Sequence, residues 1–177
     1  MTERKNLAAI ATAAALLGLS ACVSGSEPPT APKPAIVQDV EFVRGCWVRK
    51  DAPGGPALGF LRLLPKGADG PAYEGQLHNV TDPSMPVRSD YSFRRDGSSM
   101  TFKARRSDAR TYAAAPIPDA IAPPLAAGSK RASFAIGPAA AGWLIADGGA
   151  ETLRIYTMFG DGRVRPDWFN GERDGCD

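Results

Sequence analysis

The chain has 177 residues, with 21 lysines and arginines against 19 aspartates and glutamates, a single histidine and three cysteines. That length supports one core of ordinary size and hardly two. The near-balance of charge excludes the concentrated basic surface of a nucleic-acid binder, and 19 glycines with 16 prolines favour turns and short strands over a helical bundle.

In chain order, Met1–Asn6 carries Arg4 and Lys5 and is followed by the apolar run Leu7–Leu19. At about 1.5 Å per helical residue the run is too short for a bilayer core, which needs about twenty residues. It has the length of the apolar region of a signal peptide. The run ends in Leu19-Ser20-Ala21-Cys22, which resembles the bacterial lipobox. The resemblance implies cleavage before Cys22 and a diacylglycerol on its sulfur, with a further acyl chain such as palmitate on its amine. Several acyl chains make an anchor effectively permanent, where one gives only marginal binding. The position after the cysteine is Val23 rather than the aspartate that holds such lipoproteins at the inner membrane, so the expected location is the outer membrane of the cell envelope. Residues 1–21 are then signal peptide, residues 22–39 the lipidated cysteine with a tether, and residues 40–177 the folded domain.

Lipidation of Cys22 leaves Cys46 and Cys176. An even number of thiols in an exported chain points to a disulfide, here joining the start of the domain to its end. The tether, Val23–Asp39, contains Pro28, Pro29, Pro32 and Pro34. Its prolines favour an extended chain reaching on the order of 50 Å.

Strand signals begin at Val40–Arg49, rich in β-branched and aromatic residues, and continue at Leu58–Leu64. Ala72–His78 alternates, with Tyr73, Gly75 and Leu77 on one face. In Tyr91–Phe102, Asp96-Gly97 predicts a type I′ hairpin turn. The register then places Phe93 opposite Met100 and Tyr91 opposite Phe102, with all four on one face. Ser107–Lys130 is rich in alanine and proline, and Asp108–Ala115 within it reads as a short helix ended by Pro116. Arg131–Ile136, Gly142–Ala146, Thr152–Phe159 and Val164–Phe169 read as further strands. About nine candidate strands joined by glycine turns predict an all-β antiparallel meander, with about eight closing into a small barrel.

Chemistry is sparse. His78 is the single histidine, on a polar face, so no multi-histidine metal site is available and none is expected. With Cys46 and Cys176 bridged and Cys22 lipidated, no thiol remains as a nucleophile. No Gly-x-Ser-x-Gly elbow surrounds any serine. Neither a cofactor nor a catalytic residue is expected. Two stretches read as candidate binding surface: Arg94 and Arg95, in a basic cluster with Lys103, Arg105 and Arg106, and Trp168-Phe169 behind Arg163 and Arg165. Arginine with aromatics is an interface composition, and a basic face near a membrane suits anionic headgroups.

Gly45-Cys46-Trp47, opening the first strand of a meander, resembles the Gly-x-Trp start of lipocalin-like (calycin) barrels. Exported bacterial protease inhibitors of the small β-barrel type begin similarly. The resemblance implies that Trp47 closes one end of the barrel against an arginine near the last strand, with Arg163 or Arg165 as candidates. The expectation is therefore a lipid-anchored binding module of the envelope, holding a protein partner or a small apolar ligand and no nucleic acid. A structural accessory of envelope assembly is the alternative, and a hydrolase a more distant one.

Overall fold

The computed structural model describes residues 37–50, 54–81, 87–165 and 168–176. The expected signal peptide, the expected lipidation site Cys22 and residues 22–36 of the expected tether lie outside the described residues. Ten antiparallel strands form one sheet: β1 (Gly45–Lys50), β2 (Ala57–Pro65), β3 (Ala72–Asn79), β4 (Val87–Arg94), β5 (Ser99–Ala104), β6 (Arg110–Ala113), β7 (Lys130–Ile136), β8 (Gly142–Gly148), β9 (Thr152–Phe159) and β10 (Phe169–Asp174). Their order is β6-β5-β4-β3-β2-β1-β10-β9-β8-β7. Sheet neighbours are chain neighbours except at one join, where β1 pairs with β10 and curls the meander into a nearly closed barrel. The strands number ten rather than about eight.

The expected alternation holds where one face is buried. Tyr73 and Leu77 on β3, Tyr91 and Phe93 on β4, and Met100 and Phe102 on β5 all turn inward. Phe93 lies opposite Met100 and Tyr91 opposite Phe102, as the hairpin register requires. The turn itself differs. Gly97 has φ +67°, but Asp96 is not left-handed, so the turn is not type I′. Asp96 instead accepts from the Ser98 N–H at 3.0 Å and the Ser98 hydroxyl at 2.6 Å, while the Gly97 N–H bonds the Arg94 carbonyl at 2.9 Å. A Cβ on Gly97 would stand 1.9 Å from the Gln38 carbonyl, so this glycine also admits the incoming N-terminal segment.

Three other segments depart from the expected elements. Val40–Val43 is not strand, because Glu41–Val43 is a 3-10 turn whose Phe42 and Val43 are buried. Arg110–Ala113 is a strand rather than part of a helix, since pairing Met100 with Tyr112 rewards the β-branched and aromatic Thr111-Tyr112. The last strand begins at Phe169, and Val164 contributes only a single bridge to Met158.

The interior is occupied by side chains. Trp47, Tyr73, Tyr91, Phe93, Phe134 and Phe169 are all fully buried. Phe93 meets Phe134 edge-on at 6.0 Å, and Phe102 meets Trp168 at 4.0 Å between centroids. Tilted aromatic pairs of this kind add to the area that they bury.

Candidate functional site: closures, seam and outer faces

One end of the barrel, where β1 begins, is plugged by residues 38–44. Val40, Phe42 and Val43 are buried there, and the Trp47 indole N–H donates to the Val43 carbonyl at 2.9 Å. The Tyr73 hydroxyl donates to the Glu41 carboxylate. That bond, more than the adjacent Arg44, holds the Glu41 carboxyl below its usual range. Outside the plug, the Arg173 guanidinium lies 4.3 Å from the centre of the Trp47 ring and donates to the carbonyls of Arg44 and Ala150. Gly45 leaves the space for it, because a Cβ there would stand 2.5 Å from an Arg173 nitrogen. The arginine that packs on Trp47 is therefore Arg173, in the last strand. Arg163 and Arg165 lie over Phe159 instead, at 5.5 and 5.2 Å.

Cys46 and Cys176 form a disulfide with a Cα–Cα distance of 5.3 Å across a sequence separation of 130. It pins the chain's end to the outer face of β1, where Arg62 donates to the Cys176 carbonyl at 2.9 Å.

The two stretches read as candidate binding surface lie apart on the barrel. Arg94 and Arg95 flank the β4–β5 turn at the plugged end, and Arg163 and Arg165 follow β9 at the opposite end. Arg94 pairs with Asp96 at 3.3 Å, and Arg163 with Asp161 at 2.6 Å. Arg95 lies over the Tyr73 ring at 5.7 Å. Phe169 is 0% exposed and Trp168 is half-buried against Phe102, so both aromatics are packed residues rather than a contact patch. Inward alternation along a short polar strand puts Phe169 in the core, while Trp168, just before the strand, packs on the inward Phe102.

The Ala/Pro-rich connection does have a packing role. After β6 it crosses to the outer face of β8 and β9, where Trp143, Ile145, Tyr156 and Met158 form a second apolar cluster covered by Ala115, Ile117 and Ile121. Arg131 fastens this strap. It bonds the Pro123 carbonyl at 2.8 Å and grips Asp147 through two contacts of 2.6 Å. Tyr156 also donates to Asp147, at 2.8 Å. Burial first, and then Asp147, push the Tyr156 phenol far above its ordinary value.

Two depressions on the outside are large enough to receive a partner. One, of about 510 Å³, lies over β3–β5 among Lys66, Glu74, Gln76, Asp90, Ser92 and Lys103. Its polar groups are partly spent on each other, with Gln76 donating to Asp90 at 2.8 Å. The other, of about 590 Å³, lies at the seam between β6 and β7. His78 stands exposed on the outside of β3. Among the described residues, no group of three metal-binding side chains occurs.

No family model, no curated protein and no solved structure matches this chain.

Proposed function

We propose that the protein is a lipid-anchored binding module of the bacterial envelope that engages a protein partner through the outside of its barrel. The lipobox-like Leu19-Ser20-Ala21-Cys22 supports the anchor and an outer-membrane location. The observation that carries the binding mode is the filled interior. A barrel that carries an apolar ligand needs a concave apolar site of a few hundred Å³, and here Trp47, Tyr73, Tyr91, Phe93, Phe134 and Phe169 occupy that volume. Room for a partner lies outside, in the groove over β3–β5 and at the seam. The Gly45-x-Trp47 opening, the Arg173 that packs on it and the β1–β10 join support a lipocalin-like architecture used as a scaffold rather than as a container.

The test is a titration of the purified full chain with a fluorescent fatty acid, together with mass spectrometry of small molecules released on denaturation. The expected result is no saturable binding and no stoichiometric ligand. A one-to-one ligand released only on unfolding would overturn the reading.

A further inference from the structure

The β4–β5 pairing ends at the unplugged rim with two arginines opposed. Ser89 lies opposite Ala104 and Asp90 opposite Lys103, and the Arg105 N–H continues the ladder by donating to the Arg88 carbonyl at 3.1 Å. Ser89, Tyr91 and Phe102 are buried, so alternation turns Arg88, Lys103 and Arg105 outward. Arg106, in the β5–β6 turn, and Arg110, opening β6, join them at the same corner. All five residues are exposed, and among the described residues none of them forms an ion pair.

The acids of the corner do not answer this charge. Asp90 accepts from Gln76 at 2.8 Å instead of pairing with Lys103, and Asp108 forms no ion pair among the described residues. The plugged end is the contrast. There Arg44 pairs with Glu41, Arg94 with Asp96 and Lys130 with Asp39, while Arg95 and Arg173 lie over Tyr73 and Trp47. Like charges directly opposite each other on a sheet are destabilising. The Arg88–Arg105 pair is therefore a cost that an anion from outside would remove. An open depression of about 320 Å³, lined by Val87, Ser89, Asp90, Lys103 and Arg105, lies at this point.

We propose that this corner rests on the headgroup phosphates of an anionic membrane. Guanidinium forks match phosphate oxygens two at a time. A protein interface, by contrast, is depleted of charge at its centre. Each lysine or arginine close to an anionic surface strengthens attachment about fivefold, so a small cluster suffices for a domain already held at the bilayer. The proposal rests on the lipid-anchor part of the reading above. The chain enters the domain at the plugged end, where the Gln38 side chain bonds both backbone groups of Ser133, at 2.8 and 2.9 Å. A tether reaching on the order of 50 Å exceeds the height of roughly 27 Å set by the eight residues of β4. The far end of the barrel can then touch the membrane that holds the anchor. Val80, 48% exposed at that end, adds an apolar side chain to the contact.

The test is photo-crosslinking of the full lipidated chain, with p-benzoylphenylalanine replacing Ser107, in the β5–β6 turn, in one variant and Ala68, in the β2–β3 turn of the plugged end, in another. Each is placed in vesicles of phosphatidylcholine, in vesicles of equal parts phosphatidylcholine and phosphatidylglycerol, and in its own envelope membranes. The expected result is a lipid adduct from position 107 in the anionic vesicles and the envelope, about threefold or more above that from position 68. It should fall to the phosphatidylcholine level with Arg88→Gln and Arg105→Gln together, or in salt of about 1 M, where the Debye length is about 3 Å. The double variant should melt at or above the wild-type midpoint, because it relieves a like-charge pair.

Equal adducts from the two positions, or an adduct from position 107 that ignores the double substitution, would overturn the proposal. So would a lowered melting midpoint, which assigns the arginines to the fold. One-to-one binding of inorganic phosphate without vesicles, abolished by the double substitution, would make the ligand a soluble anion. A crosslink from position 107 to one acidic protein of the envelope would make it a partner surface. Either result overturns the membrane assignment. A chain that washes off phosphatidylcholine vesicles has no working anchor, and overturns the anchor reading and this proposal together. An anchored chain without the adduct from position 107 overturns this proposal alone.

Discussion

The Arg173 guanidinium lies over the Trp47 ring at 4.3 Å, in the space that Gly45 leaves open. Three residues from opposite ends of the domain thus make one closure, and β1 cannot take its place without β10. Arg173→Ala removes the cation–π contact and two hydrogen bonds to carbonyls, and should cost about 1–2 kcal/mol. Arg173→Lys should recover only part of it, since an ammonium lacks the fork that reaches both carbonyls. Urea denaturation of the three proteins measures this, and equal midpoints would contradict it.

Reduction of Cys46–Cys176 frees a closed loop spanning 130 residues. Loop-closure entropy and the range for native bridges set the loss at about 2–5 kcal/mol. Denaturation with and without reductant reads it directly, and free alkylatable thiols in the purified protein would contradict the bridge.

Glu41 and Asp96 make stability pH-dependent at the acid side. Both carboxyls sit below their ordinary range, Glu41 chiefly through Tyr73 and Asp96, at about 2, chiefly through the Ser98 hydroxyl. A depressed folded pKa gives stability that is complete above the unfolded value and is lost as pH falls through the folded one. Stability should therefore decline from about pH 4.5 down to about pH 2. Glu41→Gln should flatten the upper part of that decline and Asp96→Asn the lower.

Tyr91 works in the opposite direction. Among the described residues its buried hydroxyl has no partner within hydrogen-bond geometry, and burial pushes the phenol up to about 12, against weaker pulls from the nearby Ser89 hydroxyl and the charges of Arg88 and Arg49. A raised folded pKa gives stability that is complete below the unfolded value, about 10, and is lost as pH rises towards 12. Tyr91→Phe should remove much of that alkaline loss. At neutral pH it should be neutral or stabilising by about 1 kcal/mol, because an unpaired buried hydroxyl is costly. A destabilised variant would show that the hydroxyl has a partner.

Arg131 and Asp147 hold the strap, with side chains only 16% and 14% exposed. Arg131→Ala takes from the buried Asp147 carboxylate its two-contact partner and should cost roughly 3 kcal/mol. Limited proteolysis should then cut within residues 116–129 well before the barrel unfolds. Cleavage at the wild-type rate would show that apolar packing alone holds the strap.

The barrel was legible wherever burial on one face forces alternation, as at Tyr73 and Leu77 or along the β4–β5 hairpin. It was not legible at β10, where Asn170-Gly171 resembles a turn and the strand owes its place to β1 and β9 on either side. Arg163 and Arg165 stand near the last stretch with an evident strand pattern, which is why composition points to them. The better signal was the cysteine pair. If Cys46 meets Cys176, the residues just before Cys176 run beside β1, and Arg173 falls next to Trp47. Only pairing shows that β6 is a strand, since Asp108–Ala115 has the composition of a short helix. The seam depends on where the chain crosses to the outer face, which no local pattern encodes. That the Arg94–Arg95 and Arg163–Arg165 stretches lie at opposite ends of the barrel was not legible, because turns at the two ends look alike in sequence.

The most direct test of the central claim is affinity capture of the lipidated full chain from solubilised envelope, with proteins and lipids both identified by mass spectrometry. The account predicts a stoichiometric protein partner, and no small molecule retained by the domain beyond the acyl chains on Cys22. A retained apolar ligand without any protein, or a Cys22 that carries no lipid, would contradict it.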